Sequence, residues 1–421
     1  MPEAYCTYAE ETDDAANKVS QRKRIGIRRI ILQIKDRVII KIESIAFGGE
    51  GVGRIDNFVV FVPFTAPGDE LEIEITQLKK KFVRGKILKI IKPLPARVKP
   101  LCRYYENCGG CCYQHLDYEH QLKSKKKQVE EAFWKIGKIV SPPVLEPIAA
   151  PKIYHYRGKA QYHAEAVSNG WKIGFLDISG GKLVDIERCE IMEETINEKM
   201  RVLRDNKQLR SNDDAQLTIW SDFFVDEPCK KESIVRVVKD KNFLVPRDGF
   251  FQANLYLTDQ LIDEVCRLVG TNEINTIVDA YCGSGLFSIF LSSFAENVIG
   301  IEISEKSVKY AQINAENASV KNVKFICGDI ENVLRRKLLP PGDKIDLIFL
   351  DPPRSGCEKA VLKEIVVWQP RKIIYVSCNP ATQARDVKYL NECGYDLRSL
   401  LPVDMFPQTE HIEVIGFMER R

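Results

Sequence analysis

The sequence predicts an α/β protein in which a doubly wound parallel sheet follows an N-terminal OB-like β-barrel and a central α+β segment. From residue 243 onward, short apolar strands alternate with helical patterns, as in a doubly wound sheet. Residues 36–93 contain five short β-type runs separated by glycine and proline turns, which is typical of a small barrel. Between them, residues 94–242 combine strand-like runs, one helical pattern and a group of cysteines.

The barrel segment is strongly basic, although the whole chain carries a net charge of only +3. Residues 21–99 contain 18 lysines and arginines against 8 acidic residues. A concentrated positive charge on a barrel indicates a surface that binds a phosphate backbone. The motif Phe47-Gly-Gly-Glu-Gly-Val-Gly-Arg54 resembles the TRAM domain, an RNA-binding barrel attached to RNA-modifying enzymes. We therefore expect a TRAM barrel over residues 31–94, and a generic barrel is the alternative.

The overall composition is that of a soluble globular protein, with 44% hydrophobic and 29% charged residues. No apolar run reaches the roughly 18 residues that a membrane helix needs. The N-terminus also lacks the apolar core of a secretory signal. We expect a cytoplasmic protein without a membrane partner, in which residues 1–30 form a polar extension.

The first three strands of the predicted sheet end in the acidic residues Asp279, Glu302 and Asp329. The first strand leads into Cys282-Gly-Ser-Gly285, whose glycines let a ligand approach the backbone at the carboxyl edge of the sheet. Acids at three strand ends repel a pyrophosphate and suit a cationic ligand without phosphate. S-adenosylmethionine has this character, so we expect it as the cofactor, and a flavin or nicotinamide is the alternative.

The next two strands end in residues that can act on a substrate. The fourth ends in Asp351-Pro-Pro, where the prolines force an extended turn that can aim the Asp351 carboxylate at a planar base. The fifth ends in Cys378, a candidate nucleophile whose alternative is a buried structural thiol. Near the end of the sequence, Glu410, His411 and Glu413 are candidate general bases.

Two stretches of the chain resemble the signatures of the RNA uracil-C5 methyltransferase family. The first signature resembles residues 351–356 together with 373–382, and the second resembles residues 403–413. The run Phe250-Phe-Gln-Ala-Asn254 is similar to the start of that family's catalytic domain. The resemblance implies a Rossmann-like class I methyltransferase sheet over residues 243–421. It also implies that S-adenosylmethionine donates a methyl group to C5 of a uridine in RNA.

The same resemblance implies a role for each candidate residue. Cys378 adds to C6 of uracil, and Glu413 removes the C5 proton before the adduct breaks. The target base has to be splayed out of its RNA structure to reach a thiol at a sheet edge. The residues implied to line the cofactor and target-base pocket are Gln252, Tyr281, Glu302 and Asp351.

A dense cysteine group, Cys102, Cys108 and Cys111, lies in the central segment. Disulfides are disfavoured in a cytoplasmic chain, so a metal centre is the favoured interpretation, and three ligands require a fourth. The family resemblance implies a [4Fe–4S] cluster held by these three residues and Cys189, in a central domain over residues 95–242. A zinc ion bound by the same four thiolates is the alternative.

Two other functions are compatible with these patterns. A different methyltransferase is disfavoured, because enzymes that act on adenine amino groups use no thiol and cytosine-C5 enzymes usually carry a second cysteine beside the fourth-strand proline. A non-catalytic RNA-binding or chaperone protein is disfavoured by the presence of both Cys378 and Glu413. Family members with a barrel and a cluster usually modify 23S rRNA. We therefore expect a monomeric enzyme acting on 23S rRNA, with tRNA as the alternative substrate.

Overall fold

The computed structural model describes residues 32–56, 58–167, 170–205, 215–221, 232–270, 274–336 and 344–421. The polar extension expected at residues 1–30 lies outside these ranges. Among the helices within them, none is both long enough and apolar enough to cross a membrane.

Five strands close into a barrel, as the sequence predicts. The strands are β1 Arg37–Ile45, β2 Gly51–Ile55, β3 Phe58–Val62, β4 Glu70–Leu78 and β5 Phe82–Lys92. Their order around the barrel is β1-β2-β3-β5-β4, in which β3 and β5 are parallel and the other neighbours antiparallel. Alternate residues of β4, such as Leu71, Ile73 and Ile75, are fully buried, because successive side chains of a strand face opposite sides.

A buried ion pair fastens the barrel to the segment that follows it. Asp69 is fully buried and accepts hydrogen bonds from the amides of Ala66 (2.7 Å) and Leu94 (2.8 Å). The Arg97 guanidinium donates to the same carboxylate through Nη2 at 2.6 Å and Nε at 3.0 Å. Burial would raise the pKa of Asp69, but Arg97 and the two amides outweigh it and lower that pKa below its usual value. The carboxylate therefore stays charged at neutral pH.

A four-stranded antiparallel sheet, two helices and a separate hairpin form the central part. The elements are α1 Tyr118–Lys135, β6 Lys159–Val167, β7 Gly170–Leu176, β8 Leu183–Asp185, α2 Glu194–Asp205, β9 Ala215–Trp220, β10 Ser233–Val238 and β11 Lys241–Pro246. The sheet has the order β8-β7-β6-β9, and β10 pairs with β11. Helix α1 begins after Asp117, whose carboxylate accepts a hydrogen bond from the His120 amide at 2.9 Å and caps the first turn.

The C-terminal part is a seven-stranded sheet with the order β14-β13-β12-β15-β16-β18-β17. The strands are β12 Thr276–Ala280, β13 Asn297–Glu302, β14 Val323–Cys327, β15 Leu347–Leu350, β16 Lys372–Ser377, β17 Tyr395–Val403 and β18 Glu413–Arg420. The first five are parallel, whereas β18 runs antiparallel to both β16 and β17. The strand order reverses between β12 and β15, which opens a crevice at the carboxyl ends of the strands.

Helices pack on both faces of this sheet. They are α3 Thr258–Val269, α4 Leu286–Leu291, α5 Glu305–Asn317, α6 Ile330–Arg335, α7 Lys359–Trp368 and α8 Pro380–Glu392. The neighbouring strand residues Ile277 and Val278 belong to two different hydrophobic cores, one on each face. This is the class I methyltransferase arrangement that the sequence predicts, and its crevice is the place to look for a ligand.

The edge strand β17 is an element that the sequence analysis does not foresee. Its outer edge pairs with residues 143–148, which we call the edge strap. The Leu400 amide donates to the Pro143 carbonyl at 2.9 Å, and the Leu145 amide donates to the Leu400 carbonyl at 2.8 Å. A short run in which polar and apolar residues do not alternate regularly is hard to recognise as a strand. In the structure the edge strap supplies the backbone hydrogen-bond partners on the outer edge of β17.

Candidate active site

Backbone hydrogen bonds hold the loop after β12 at the carboxyl edge of the sheet. The amides of Tyr281 and Cys282 both donate to the Ile301 carbonyl at 3.0 Å. Gly285 has a φ of +84°, and a Cβ there would lie 3.0 Å from Phe325. Only glycine combines this backbone conformation with so close an approach, so the loop turns tightly into α4.

Glu302, the last residue of β13, faces this loop. Its carboxylate accepts hydrogen bonds from the Gly283 amide at 3.1 Å and the Ser304 amide at 2.8 Å. The two bonds orient a half-buried carboxylate whose remaining lone pairs can accept ligand hydroxyl groups. The third acid of the sequence analysis, Asp329, is exposed and instead caps α6 by accepting a hydrogen bond from the Asn332 amide at 3.0 Å.

Asp279, on β12, is a buried carboxyl group at the same edge. Its side chain is 1% exposed, and Oδ2 accepts a hydrogen bond from Ser288 Oγ at 2.5 Å. Within the described residues, Oδ1 has no hydrogen-bond partner. Burial raises the pKa of Asp279 to about 7. A buried, unpartnered carboxylate oxygen fits a cationic ligand group such as the ammonium or sulfonium of S-adenosylmethionine.

Tyr281 and Gln252, two further residues expected in the cofactor pocket, have different surroundings. Tyr281 has a φ of +73° and packs against the core on one face of the sheet. Burial, together with neighbouring Cys357, raises the pKa of Tyr281. Gln252 is half-buried between β11 and α3, and in the described part of the chain its side-chain amide makes no hydrogen bond. The amide of Gln252 is therefore available to a ligand.

Cys378 directly follows β16 and precedes Asn379, whose side chain caps α8 by accepting a hydrogen bond from the Ala381 amide at 3.0 Å. The thiol is half-buried. Burial, followed by the charge of Glu413, raises the pKa of Cys378 to about 11, and Arg354 opposes that shift. The free thiol is therefore protonated at neutral pH.

Glu413 is the first residue of β18 and is 7% exposed. The β16–β18 register pairs Ser377 with Val414, so Cys378 and Glu413 are the next two residues along these strands. Burial, followed by the charge of Asp351, raises the pKa of Glu413 well above that of an ordinary carboxyl group. Burial and the charge of Asp279 likewise raise the pKa of Asp351. The thiol and these carboxyl groups share one end of the crevice.

Arg354 is a cation whose charge acts on both Cys378 and Glu413, and the sequence alone did not indicate a role for it. Its guanidinium opposes the raised pKa values of both Cys378 and Glu413. Its Nη2 lies 3.2 Å from His411 Nε2. Its carbonyl accepts hydrogen bonds from Asn379 Nδ2 at 3.1 Å and from the Thr382 hydroxyl at 3.2 Å. The start of α8 thus fixes the loop that carries this charge.

Glu410 and His411, the other two candidate bases, line a different cavity from the crevice. Burial and the neighbouring Arg354 lower the pKa of His411 to about 4, so its ring is neutral near pH 7. Burial raises the pKa of Glu410. Both side chains line a cavity of about 260 Å³ beside the cysteine group.

The four cysteines assigned to a metal centre line this same cavity. Cys102, Cys108, Cys111 and Cys189 all contribute to its wall, although Cys189 is separated from the others by more than 70 positions of sequence. The Cys102 amide donates to Gln114 Oε1 at 3.0 Å. Cys112 lines the cavity as well.

The thiolate donors around this cavity suit either a zinc ion or an iron–sulfur cluster. A tetrahedral zinc site with Zn–S bonds of about 2.3 Å brings its four sulfur atoms within about 4 Å of one another. In the part of the chain that the structure describes, no group of three or more His, Cys, Asp or Glu side chains is placed to hold a metal ion. A four-iron cluster is also held by four cysteine thiolates, so the donor set alone does not separate the two groups.

A large groove of about 1180 Å³ runs between the barrel and the cysteine loop. Arg84, Lys86 and Lys182 are among the residues that line it. Arg84 pairs with Glu50 at 3.0 Å and Lys86 with Glu74 at 2.8 Å, so part of the positive charge on β5 is neutralised within the barrel. The three lysines at positions 79–81 are exposed at the turn between β4 and β5.

Two family models match the chain. Residues 224–421 match the model described as tRNA (Uracil-5-)-methyltransferase, and residues 35–88 match the TRAM domain. An RNA methyltransferase of Halalkalibacterium halodurans is 31% identical over 91% of this chain and 97% of its own length. The tRNA (uracil(54)-C(5))-methyltransferase of Schizosaccharomyces pombe is 36% identical over 89% of this chain and 77% of its own length.

A solved structure is similar over 90% of this chain. It is the tRNA (uracil-54, C5)-methyltransferase of Pyrococcus abyssi in complex with S-adenosyl-L-homocysteine. The two chains superpose with a TM-score of 0.64 and 25% sequence identity, covering 90% of this chain and 99% of the other.

Proposed function

This chain belongs to the RNA uracil-C5 methyltransferase family, which uses S-adenosylmethionine, and from that premise we propose that it methylates a uridine through a covalent adduct with Cys378. Glu413 is the proposed base. The observation that carries the proposal is the β16–β18 register, which ends with the pair Ser377 and Val414. Cys378 and Glu413 are the next residues on the two strands, and opposing residues of an antiparallel pair share a face of the sheet.

The reaction begins when Cys378 Sγ attacks C6 of uracil. The C6–S bond forms, and the electrons of the C5–C6 double bond move into an enolate. C5 then attacks the methyl group of S-adenosylmethionine, whose sulfonium takes up the electron pair and leaves as S-adenosylhomocysteine. Glu413 removes the hydrogen from C5, the C5–C6 double bond forms again, and the C6–S bond breaks. The thiol proton lost in the first step returns to Cys378, so the net by-product is the C5 proton.

The electrostatics of the site suit these two roles. The pKa of Glu413 is raised by burial, and a carboxylate with a raised pKa is a stronger base for a carbon-bound proton. The thiol of Cys378 must lose its proton before it attacks, and Arg354 is the cation beside it that favours the thiolate. Arg354 can also pair with negative charge on the uracil oxygens during the addition.

For the cofactor pocket we propose Gln252, Tyr281, Glu302 and Asp351, with Asp279 added from the geometry. The orphaned Oδ1 of Asp279 supports a contact with a cationic group of S-adenosylmethionine. The carboxylate of Glu302 is oriented by hydrogen bonds from the amides of Gly283 and Ser304, which supports a contact with ribose hydroxyls. Asp351, near both Asp279 and Glu413, can serve the uracil edge instead of the cofactor.

We propose that Cys102, Cys108, Cys111 and Cys189 hold a [4Fe–4S] cluster in the central domain, residues 95–242. Their shared cavity supports a common role for the four thiolates, and a zinc ion held by the same four is the alternative. The methyl transfer needs no electron transfer, so the cluster would supply a structural centre that ties the cysteine loop to the central sheet.

The proposed substrate is a tRNA uridine, gripped in part by the barrel at residues 31–94. Two similar proteins whose names state a target modify uracil 54 of tRNA, which supports tRNA over the 23S rRNA expected from the sequence. Mapping 5-methyluridine in tRNA and in 23S rRNA, from strains with and without this protein, separates the two. Loss of the mark from 23S rRNA alone would overturn the tRNA assignment.

Two variants test the chemistry directly. Cys378→Ala is expected to abolish methylation and the covalent complex, whereas Cys393→Ala, at an exposed thiol, should leave both unchanged. Glu413→Gln is expected to slow turnover by about 10²- to 10⁴-fold and to accumulate the covalent RNA–protein complex on denaturing gels. Methylation by Cys378→Ala, or normal turnover by Glu413→Gln, would contradict the assigned roles.

A further inference from the structure

The nine residues between β17 and β18, 404–412, form a loop that ends one residue before Glu413. We call it the base loop. Asp404, Gln408 and Thr409 are each at most 2% exposed. Loops normally lie at the surface, because a buried backbone needs a hydrogen-bond partner for every amide and carbonyl. A buried loop therefore has to find its partners in neighbouring segments.

Several partners of the base loop come from outside the seven-stranded sheet. The Met405 carbonyl accepts a hydrogen bond from Asn254 Nδ2 at 3.0 Å. The Pro407 carbonyl accepts one from the Tyr156 hydroxyl at 2.9 Å. The conformation of the loop is thus set by segments that precede the sheet in the chain.

Helix α1 supplies three further hydrogen bonds through Lys125. The Lys125 ammonium donates to Asp404 Oδ1 at 2.6 Å, to the Phe406 carbonyl at 3.0 Å and to the His411 carbonyl at 2.9 Å. The side chains of Lys125 and Asp404 are both 1% exposed. One ammonium therefore joins the first residue of the base loop to a residue two positions before Glu413. Burying an ion pair is costly, which suggests a role beyond stability.

A second contact from α1 holds the middle of the base loop. Gln121 Nε2 donates to Gln408 Oε1 at 3.1 Å, and the Gln408 amide donates back to Gln121 Oε1 at 3.1 Å. The Gln408 carbonyl accepts hydrogen bonds from the amides of Cys112 and Tyr113, both at 3.0 Å. Gln408 has a φ of +70°, a conformation that non-glycine residues adopt only when their surroundings impose it.

We propose that Lys125, supported by Gln121, is a positioning residue for the base Glu413. It holds the base loop in the one conformation that starts β18 with Glu413 opposite Cys378. The proposal rests on the function proposed above. A base displaced by about 1 Å can lose about 10²-fold in rate, so the tie from α1 acts on catalysis without touching the substrate.

The expected defect is specific to one step. Attack of Cys378 on C6 and the methyl transfer do not use Glu413, so both should proceed when the base loop is loosened. Removal of the C5 proton should slow, and the methylated adduct should persist. A merely structural contact would lower all steps together.

The paired substitution Lys125→Met with Asp404→Leu removes the tie without leaving one buried charge alone. Gln408→Gly removes the hydrogen bond from Gln121 Nε2 to Gln408 Oε1 and relieves the positive φ, while the backbone bond to Gln121 Oε1 can persist. It serves as a second variant if the first does not fold. Lys127→Met, an exposed lysine on the same helix, is the matched control.

The substrate is total RNA labelled with [5-³H]uridine from a strain that lacks the protein. Tritium release reports proton removal, and gel-shifted protein reports the adduct. We expect tritium release at least about tenfold slower, with more adduct, an unchanged single-turnover rate of adduct formation and an unchanged affinity for S-adenosylhomocysteine. Lys127→Met should behave like the wild type.

Normal tritium release in a folded tie variant, or adduct formation that falls by the same factor as tritium release, would overturn the positioning role. Glu413→Gln keeps this outcome separate from the proposed function. If Glu413→Gln accumulates adduct and the tie variants do not, the positioning role alone fails. If Glu413→Gln accumulates none, the assignment of the base fails first.

Discussion

Cys378 and Glu413 each lie one residue beyond the last pair of the β16–β18 ladder. The antiparallel register pairs Ser377 with Val414, and one step further along the two strands lie the thiol and the carboxyl group. Opposing residues of such a pair have Cβ atoms about 4.5–5.5 Å apart on one face of the sheet. The strand pairing therefore brings the proposed nucleophile and base to the same end of the ladder, and burial and neighbouring charges shift the pKa values of both.

Arg354→Met should move the pH dependence of adduct formation upward. Burial and the charge of Glu413 raise the pKa of Cys378, and the Arg354 guanidinium opposes them. Since the thiolate is the reactive form, the rate rises with pH below the thiol pKa, and loss of the cation shifts that rise to higher pH. The rate at neutral pH should fall about tenfold for each unit of the shift.

Single-turnover adduct formation, measured from about pH 6 to about pH 10, tests this expectation. Arg354→Lys keeps the positive charge and should shift the profile less. A profile that is the same in the wild type and Arg354→Met would mean that the guanidinium does not act on the thiol.

Ser288→Ala should make cofactor binding depend more steeply on pH. The Ser288 hydroxyl donates to Asp279, and that hydrogen bond opposes the effect of burial on the carboxyl pKa. Without it, the pKa of Asp279 rises further above about 7 and more of the carboxyl group is neutral at pH 7. Affinity for S-adenosylhomocysteine should drop by up to about tenfold at neutral pH and recover in alkali.

Isothermal titration at several pH values measures this effect, with exposed Ser293→Ala as the control. Equal affinity of wild type and Ser288→Ala at every pH would remove Asp279 from the cofactor site.

Protein purified without oxygen should be brown and carry about four iron atoms per chain, as a [4Fe–4S] cluster requires. Each single replacement by serine should abolish iron binding, whether at Cys102, Cys108, Cys111 or Cys189. Cys112→Ser is a sharp control, because Cys112 lines the same cavity but is not an assigned ligand. Colourless, iron-free wild-type protein would refute the cluster, and loss of iron in Cys112→Ser would refute the choice of ligands.

Asp69→Asn should lower the free energy of unfolding by about 3 kcal/mol at neutral pH, because it leaves the Arg97 guanidinium without its buried counter-charge. The folded pKa of Asp69 lies below its usual value. The pair's contribution is therefore complete above the unfolded carboxyl pKa of about 4, and it disappears as the pH falls through the folded pKa.

Urea unfolding of both proteins at neutral and acidic pH tests this, and the difference between them should shrink in acid. Glu43→Gln, in an ion pair with Arg54 that is more than half exposed, should change stability by less than about 1 kcal/mol. A difference for Asp69→Asn that persists unchanged in acid would contradict the assigned charge state.

The sequence is most informative where a local pattern determines the structure. The parallel strands are short, mainly apolar runs, of which Leu347–Leu350 is fully apolar, and their alternation with helices predicts the doubly wound sheet. The ends of the strands can also be predicted, because an apolar run that stops at an acidic residue or a cysteine indicates the carboxyl edge of the sheet. This places Glu302, Asp351 and Cys378 at one edge before any coordinates are known.

Residues whose partners are distant in sequence could not be recognised in this way. Lys125 stands among other lysines and has the pattern of a solvated charge run, yet its partner Asp404 lies 279 positions further on and both are buried. The expectation of a 23S rRNA target rested on a family habit and not on any side chain that reads RNA sequence. The specificity of an RNA enzyme depends on the shape of the assembled surface, which no single segment encodes.

The edge strap has a consequence for how the chain can be divided. An uncovered edge strand offers its free amides and carbonyls to other molecules and promotes aggregation. In this protein residues 143–148 cover that edge of β17 through backbone bonds to residues such as Leu400. A fragment that starts at residue 224, where the family match begins, would retain every residue of the crevice. It would also expose the unpaired backbone amides and carbonyls of the edge strand β17. Such a fragment should self-associate. The segments that precede it in the full chain therefore protect the sheet from pairing with other molecules.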